Sequence, residues 1–411
     1  MKQNERVIVG PPESFMTVRH LRLEGTQRDI GFALGTIARD RHGVSADALY
    51  APAVAEARCR YLRAQFPTFA ERMSGAADAL GITLESPYDL SGLSYNMLPP
   101  GAVPGCSAIY LSPAQTTSGH AILSRNYDFP RGTIAELMGL DLPNEIQETL
   151  HPMMADPYVV ELVPIDGGLA SISMVAFDLL GGALGGVNEA GLVICLNGDE
   201  IAISQGIQPD QTAVGINEVQ LVRYVLDTCR TVDEARAALE ATDLCLAFLP
   251  CHYLIGDASG SSMVFEMDYQ TGNKYTIPTS DAPPLLLNHP VRTFASSDQF
   301  PPEATMIRTG TSSFERQQQM EALLRETGLP ISPAQIRALC DGVAVDRVLS
   351  WITEPMRLQF LSSPGLSRTL WQINYDATAR TVEVKFYLGD RATGDSIRQR
   401  FTNYTSFQLA G

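Results

Sequence analysis

The order of helical and strand patterns along the 411 residues predicts a mixed α+β fold. Periodic, alanine-rich stretches dominate residues 1 to about 97, and short β-branched and aromatic runs between glycine-rich turns follow from residue 106 to about 196. Helical stretches and hairpin strands alternate after that. Strands followed by helices and then by strands again are expected when sheets stack inside and helices cover them. The pattern by itself indicates this class and nothing finer.

The first region ends in a loop that is rich in proline and glycine. Helical periodicity is centred on residues 46–66 and 70–80, and the segment 98–105 reads Leu-Pro-Pro-Gly-Ala-Val-Pro-Gly. Residues of these two types at this density end a helix and prevent a regular strand. We therefore expect an exposed, strained loop that ends at Gly105.

A hairpin follows the loop. Cys106 begins a strand that runs to Leu111, and a turn-rich segment joins it to a second strand that begins at His120. With Leu111 opposite His120, the register places Cys106 about opposite Arg125, with Asp128 just beyond. A guanidinium beside a thiol lowers the pKa of the thiol, and a nearby carboxylate can hold an ammonium group. A surface hairpin with a solvated arginine and aspartate is the alternative interpretation.

The position of Cys106 after this loop suits a residue that becomes a new N-terminus. Its thiol would attack a substrate carbonyl, while its own α-amine, with an ordinary pKa of about 8, would accept the thiol proton. Gly105 suits the cut, because a residue without Cβ takes the twisted backbone that exposes its carbonyl to the thiol. A buried structural cysteine after a turn is the competing interpretation.

The residues on either side of this hairpin resemble a known family. Gly-Cys-Ser at 105–107, followed by Ser-Arg-Asn-Tyr-Asp-Phe at 124–129, is similar to the N-terminal nucleophile (Ntn) hydrolases of the acyl-CoA:6-aminopenicillanic acid acyltransferase type, peptidase family C45. Penicillin V acylases, bile salt hydrolases and acid ceramidase are more distant relatives. Further stretches that resemble this family occur in order along the chain: residues 25–31, 66–96, 186–192, 287–290 and 369–371.

The resemblance implies a particular architecture and a first reaction. The fold would be the four-layer αββα sandwich of Ntn hydrolases, with a mainly helical pro-segment over residues 1–105 and the catalytic core over residues 106–411. Cys106 would first attack the carbonyl of Gly105, and hydrolysis of the resulting thioester would release an N-terminal chain of 105 residues. That cleaved chain would be a partner of the core.

The resemblance also implies roles for four further residues. Asn288 would donate a hydrogen bond to the tetrahedral oxyanion, and Asn188 would be the second donor or would orient the α-amine. Arg125 would lower the pKa of the thiol, and Asp128 would bind the new ammonium. For Asn188 a turn-forming role is the alternative.

The chain departs from the resemblance at one motif. The bile salt and penicillin V branch carries Ser-Arg-Phe, whereas residues 312–314 read Ser-Ser-Phe. The missing arginine argues against conjugated bile salts as substrates, and the acyltransferase-like branch fits better.

The implied function is that of an amidase or acyltransferase that cleaves a linear, non-peptide C–N bond through a thioester acyl-enzyme. The substrate would be a small-molecule acyl amide or acyl thioester. Two alternatives stay open: a transferase of natural-product biosynthesis that uses coenzyme A or carrier-protein acyl groups, and a binding or scaffold protein that never cuts itself. Hydrolysis and transfer share the acyl-enzyme, so the sequence does not separate them. The oligomeric state is also open, a homo-oligomer included.

Composition excludes several other classes of protein. The 30 basic and 46 acidic side chains leave a net charge of −16, which repels phosphate backbones and anionic lipid. No apolar run approaches the roughly 18 to 20 residues that span a bilayer. The seven cysteines lack a Cys-x-x-Cys spacing, and the six histidines lack a paired spacing typical of metal ligands. We expect a cytoplasmic protein without a metal, cofactor, disulfide framework, nucleic-acid partner or membrane partner.

Overall fold

The structure is a computed structural model, and it describes residues 1–96, 105–147, 150–210, 212–279, 282–301, 312–345, 367–393 and 396–409. The loop that the sequence predicts to be exposed and strained falls almost entirely on residues 97–104, outside the described residues.

Helices and strands alternate along these ranges. The helices are α1 Gln27–His42, α2 Pro52–Gln65, α3 Pro67–Leu80, α4 Ile134–Met138, α5 Asn144–Gln147, α6 Glu200–Ser204, α7 Glu218–Thr228, α8 Val232–Ala241, α9 Ser313–Thr327 and α10 Pro333–Gly342. The strands are β1 Lys2–Val9, β2 Val18–Gly25, β3 Gly105–Leu111, β4 Ile122–Pro130, β5 Tyr158–Pro164, β6 Ser171–Val175, β7 Gly185–Asn188, β8 Leu192–Gly198, β9 Ile216–Asn217, β10 Leu244–Cys245, β11 Cys251–Asp257, β12 Ser262–Met267, β13 Lys274–Pro278, β14 Leu285–Leu286, β15 Ser367–Asp376, β16 Thr381–Thr393, β17 Ser396–Phe401 and β18 Thr405–Gln408.

Two large sheets contain nearly all of these strands. In the described part of the chain, the first sheet has nine strands in the order β1-β2-β5-β6-β7-β8-β11-β12-β13, and the second has the order β14-β3-β4-β15-β16-β17, with β18 beside β16. Within these two sheets, neighbouring strands are antiparallel except for β2 and β5, which are parallel. The strand that begins at Gly105 therefore lies inside the second sheet, between β14 and β4.

The two sheets pack face to face at close range. A Cβ built on Gly185 of β7 would lie 3.0 Å from the hydroxyl of Tyr375 on β15, and one built on Gly256 of β11 would overlap the ring of Tyr110 on β3. A side chain at either position would push the sheets apart, because both sites are already filled by atoms of the opposite sheet. These glycines therefore set the spacing of the layer that contains the side chain of Cys106.

Helices cover the outer face of each sheet. Helix α1 contacts β2 and β5, α7 contacts β7 and β8, and α8 contacts β11 on the first sheet, whereas α9 contacts β3 and α10 contacts β4 on the second. The outer face of β3 buries Ile109 and Leu111 against Met320 and Ile336 of these last helices. The order of layers is therefore αββα, which confirms the predicted fold class. In the described ranges, every helix is too short or too polar to cross a bilayer.

The first 25 residues form strands that the sequence analysis did not predict. Strand β2 alternates buried and half-buried side chains, as a strand at the flank of a sheet does. It pairs along its length with β5, so that the segment before Gly105 extends the first sheet of the core. The division of the chain at residue 105 stays a prediction.

Candidate active site

The ladder between β3 and β4 sets the geometry around Cys106. Leu111 pairs with Ile122, so the predicted register with Leu111 opposite His120 is wrong by two residues. Because side chains alternate with a period of two, an error of two residues leaves each side chain on the same face of the sheet. Arg125 therefore still lies on the face that carries Cys106.

A buried guanidinium contacts the thiol. Nη2 of Arg125 donates to Sγ of Cys106 at 3.3 Å, and Nη1 donates to the carbonyl oxygen of Leu184 at 2.6 Å. Arg125 is fully buried, and within the described ranges it forms no ion pair with a carboxylate. Burial opposes the charge of Arg125, but its electrostatic interactions with Cys106 and Cys195 outweigh this effect, and the pKa of Arg125 is raised. A buried cation needs a compensating charge, and a thiolate formed at Cys106 during the reaction could supply it.

Asp128 lies directly across the ladder from Gly105. Its Oδ1 accepts a hydrogen bond from the hydroxyl of Thr369 at 2.6 Å. A Cβ built on Gly105 would lie 3.1 Å from the Cβ of Asp128, so a side chain at this position would crowd the opposite strand. The carboxylate is thereby placed beside the peptide bond that joins Gly105 to Cys106.

Asn288 meets the backbone of Cys106 from the other side. It follows β14, which pairs with β3. Its Oδ1 accepts the backbone N–H of Cys106 at 2.7 Å, and its Nδ2 donates to the carbonyl oxygen of Gly198 at 2.8 Å. Of its two side-chain groups, the carbonyl oxygen is therefore the one that faces Cys106.

Arg316 on α9 is a site residue that the sequence analysis missed. Its Nη2 donates to Oδ1 of Asn288 at 2.6 Å, and its Nη1 donates to the carbonyl oxygen of Cys106. It also lies 4.0 Å from Oδ2 of Asp128. Arg316 lies one helical turn after Ser313 on α9, so a second guanidinium besides that of Arg125 contacts Cys106. The expectation that conjugated bile salts are not substrates stays a prediction.

Asn188 lies elsewhere in the fold. Its Nδ2 donates to two backbone carbonyls at the end of α7, at 3.0 and 2.7 Å, and its Oδ1 accepts from two N–H groups of its own turn, at 3.1 and 3.0 Å. These four bonds use the full capacity of the side chain. Asn188 faces the helical layer, whereas Cys106 lies between the sheets, so the structure does not bring the two together. The turn-forming alternative accounts for its geometry.

Asn197 on β8 is a second buried polar residue near the site that the sequence analysis missed. Its Nδ2 donates to the carbonyl oxygens of Leu286 and Leu287 at 2.8 and 3.0 Å, immediately before Asn288. Its Oδ1 is buried without a hydrogen-bond partner among the described residues. The one signal in the sequence is an amide side chain near the end of the otherwise apolar run Leu-Val-Ile-Cys-Leu.

A small cavity of about 30 Å³ adjoins Cys106 and Arg125. This volume holds one or two water molecules, so the cavity must widen to admit an acyl group. Its walls are mostly aromatic and aliphatic side chains: Tyr127, Phe129, Phe177, Leu184, Leu196, Val219, Phe248 and Leu249. The lining therefore suits an apolar group.

Glu218 is the acidic residue in the wall of this cavity. Its carboxylate accepts the backbone N–H groups of Ala247, Phe248 and Leu249, two of them at 2.9 Å. Burial raises the pKa of Glu218 to about 7, although these hydrogen bonds oppose the shift. Its carboxylate therefore binds the backbone of the loop whose Phe248 and Leu249 form part of the cavity wall.

The remaining cysteines are buried, and two of them lie near the site: Cys251 lines the cavity and Cys195 interacts with Arg125. Burial raises the pKa of each of these six thiols: Cys59, Cys195, Cys229, Cys245, Cys251 and Cys340. In the part of the chain that the structure describes, no group of three His, Cys, Asp or Glu residues could hold a metal ion.

Comparison with known proteins gives one match to a family and several to solved structures. The family model described as acyl-coenzyme A:6-aminopenicillanic acid acyl-transferase matches residues 115–393, a range that contains Arg125, Asp128 and Asn288 but begins after Cys106. Penicillin V acylase from Agrobacterium tumefaciens is 18% identical over 68% of this chain and 82% of its own, with a TM-score of 0.41. A mutant conjugated bile acid hydrolase from Clostridium perfringens is 15% identical over 74% of this chain and 96% of its own, with a TM-score of 0.45.

Proposed function

The chain belongs to the acyl-coenzyme A:6-aminopenicillanic acid acyl-transferase family, and on that premise we propose that it is a self-cleaving amidase or acyltransferase with Cys106 as its nucleophile. The observation that carries the proposal is the 3.3 Å contact between Sγ of Cys106 and the buried guanidinium of Arg125. A cation in this position stabilises a thiolate, which is the reactive form of cysteine. The substrate is a small-molecule acyl amide with a linear, non-peptide C–N bond.

The first reaction is the cut before Cys106. Its Sγ forms a bond to the carbonyl carbon of Gly105, the C–N bond between the two residues breaks, and the nitrogen takes up the thiol proton. Water then hydrolyses the thioester, which leaves a carboxylate on Gly105 and restores the thiol. Asp128 supports this step, because it lies opposite Gly105 and offers a negative charge to the amine as the amine forms.

The second reaction uses the same thiol on the substrate. The free α-amine takes the proton of Sγ, and Arg125 stabilises the thiolate that attacks the acyl carbon. The α-ammonium then returns the proton to the leaving amine, and the acyl group stays on sulfur. Water completes hydrolysis, or a second amine completes transfer, according to which of them reaches the thioester. The apolar lining of the cavity suits an apolar acyl group.

Asn288 has two candidate roles. Its Oδ1 accepts the N–H of Cys106, a geometry that suits a holder of the new α-amine. Its Nδ2 binds the carbonyl oxygen of Gly198, so the oxyanion donation expected from the sequence requires this amide to leave that carbonyl after the cut. We propose that Asn288 holds the peptide N–H of Cys106 in the uncut chain and donates to the oxyanion in the mature enzyme.

Denaturing mass spectrometry of the purified protein tests the proposal. A cut after residue 105 of the 44.6 kDa chain gives fragments of about 11 and about 33 kDa by proportion. Cys106→Ala should stay at full length, whereas Cys59→Ala, which removes a buried thiol of helix α2, should be cut as in the wild type. A wild-type protein that stays intact and yet hydrolyses amides, or a Cys106→Ala protein that is still cut, would overturn the proposal.

A further inference from the structure

A buried hydrogen-bond network adjoins Asn288 on the side away from Cys106. It contains Ser313, His289 and Gln317, each at most 2% exposed, and it ends at Glu321 near the surface. None of these residues takes part in the reactions proposed above. The network reaches the site where the hydroxyl of Ser313 accepts the backbone N–H of Asn288 at 2.7 Å.

The direction of each hydrogen bond can be derived from the two ends. Nε2 of Gln317 donates to Glu321 at 2.9 Å and to the carbonyl oxygen of Ala295 at 3.3 Å, so its Oε1 is the group that faces Nε2 of His289, at 2.9 Å. Nε2 of His289 therefore carries a proton. Burial lowers the pKa of His289 to about 3, so the ring is neutral near pH 7 and Nδ1 is an acceptor.

The hydroxyl of Ser313 is thereby held in one orientation. Its proton is donated to Nδ1 of His289 at 2.6 Å, which leaves a lone pair for the N–H of Asn288. The imidazole cannot turn easily, because it stacks on Phe314 with ring centroids 4.5 Å apart and an interplanar angle of 12°. Phe300 packs against the ring edge-on.

This support matters because the β-ladder ends before Asn288. Strand β14 contains two residues, and its last pair joins Leu286 to Ala108. Beyond that pair, the backbone N–H of Asn288 is bound by a side chain and not by a neighbouring strand. The backbone of Asn288 is held at its N–H by Ser313 and at its carbonyl oxygen by the N–H of Glu200 at 2.8 Å, so Ser313 is one of two contacts that set the orientation of the Asn288 side chain toward Cys106 and Arg316.

We propose that His289 is a positioning residue for the reaction. Through Ser313 it fixes the backbone of Asn288, and thereby the side-chain Oδ1 of Asn288 that accepts the N–H of Cys106. The inference rests on the proposed function. It differs from a purely structural role, because it predicts that the acceptor at the Nδ1 position matters for catalysis independently of the stability of the fold.

Two substitutions of His289 separate these roles. In His289→Asn the amide oxygen occupies about the place of Nδ1 and can accept the proton of Ser313, whereas in His289→Gln the amide lies near the place of Nε2 and leaves Ser313 without an acceptor. Both variants lose the stacking on Phe314, so their melting temperatures should fall by similar amounts. We expect the Asn variant to cut itself within about threefold of the wild-type rate. The Gln variant should cut itself at about one tenth of the wild-type rate or more slowly, because it loses one hydrogen bond near the reacting group.

A second pair of variants acts on the hydroxyl. Ser313→Thr keeps the oxygen and should keep the rate of self-cleavage, and Ser313→Ala should lower it about tenfold. The rates are measured by following the loss of the full-length chain after a pulse of synthesis, beside the melting temperature of each Cys106→Ala counterpart.

The outcomes distinguish this inference from the proposed function. Two outcomes would overturn the positioning role alone. In the first, the wild type and the His289→Gln protein cut themselves at the same rate. In the second, the two His289 variants cut at equal rates. Rates that follow the melting temperature in all four variants would also overturn it. A wild type that stays uncut would overturn the proposed function and this inference with it.

Discussion

Removal of the positive charge beside the thiol is the most direct test of the proposed chemistry. Arg125→Met replaces the guanidinium by an unbranched apolar side chain of similar reach, and Arg125→Lys keeps a charge without the planar donor pair. The Met variant also removes a buried charge that has no carboxylate partner in the described ranges. The fold should therefore tolerate it better than the loss of one member of a buried ion pair.

The size of the effect follows from the contact at 3.3 Å between Nη2 of Arg125 and Sγ of Cys106. A hydrogen bond to a charged group contributes about 1.5 to 3 kcal/mol. At about 1.4 kcal/mol per factor of ten, the loss of this bond to the reacting thiolate lowers the rate of acylation about ten- to a hundredfold.

The pH dependence of kcat/KM for a chromogenic acyl amide gives a second measure, because its acid limb reflects ionisation in the free enzyme. The limb should move to higher pH in Arg125→Met, and by less in Arg125→Lys, because the thiolate loses its cationic donor. Alkylation of the mature protein over the same pH range, with the modified residue mapped by mass, gives an independent reading for Cys106. The other six thiols are buried with raised pKa, and they should react slowly.

An unchanged acid limb would refute the reasoning. If correctly cut Arg125→Met enzyme loses activity while its pH profile and its alkylation profile match the wild type, Arg125 acts on packing or on substrate binding and not on the thiolate. Melting temperatures and the extent of self-cleavage of each variant must accompany these profiles, since an uncut precursor lacks the α-amine and imitates a catalytic defect.

Three further outcomes are expected. Asn288→Asp keeps an acceptor for the N–H of Cys106, so this variant should cut itself faster than Asn288→Ala. Both substitutions should lower kcat of the mature enzyme about a hundredfold with little change in KM. Near wild-type turnover in mature Asn288→Ala enzyme would contradict the oxyanion role. Because burial raises the pKa of Glu218 to about 7 from 4.5, the folded chain holds a proton that the unfolded chain releases, so stability should fall by about 3 kcal/mol as the pH rises from about 4.5 to 7. Glu218→Gln should remove this slope in melting temperature, and an equal slope in both proteins would count against it. Chelation should leave activity unchanged, since the described residues contain no cluster of metal ligands; a loss that zinc restores would show that a ligand set was overlooked.

The hairpin at the centre of the site could be predicted because its information is local. Strand alternation determines which side chains share a face, so Arg125 was assigned to the side of Cys106 although the register was wrong by two residues. The register itself depends on where the second strand begins, and that strand starts at Ile122 rather than at His120. Residue motifs likewise indicated the family, which the match over residues 115–393 confirms.

Other parts of the site depend on which layers meet. Arg316 reaches Cys106 across 210 positions of the chain, and Asn288 reaches it across 182. No periodicity spans such separations, and the start of α9 at Ser313, which puts Arg316 on the inner face, was not apparent from the sequence. The sequence also suggested that Asn188 acts beside Cys106, whereas the structure places it against α7. A residue type indicates hydrogen-bonding capacity, but it does not indicate which partners use that capacity.

By itself, the sequence determined the α+β class, the candidate nucleophile Cys106, and the face of the sheet that Cys106 shares with Arg125. These follow from composition, local periodicity and short motifs, which act over a few residues. Only the tertiary structure decided that β2 extends the sheet of the core, that Arg316 supplies a second guanidinium, and that His289 and Ser313 support Asn288. The physical reason is that buried polar groups are paired by whichever donors and acceptors the packed layers bring within about 3 Å. That proximity is a property of the packed layers and not of any segment.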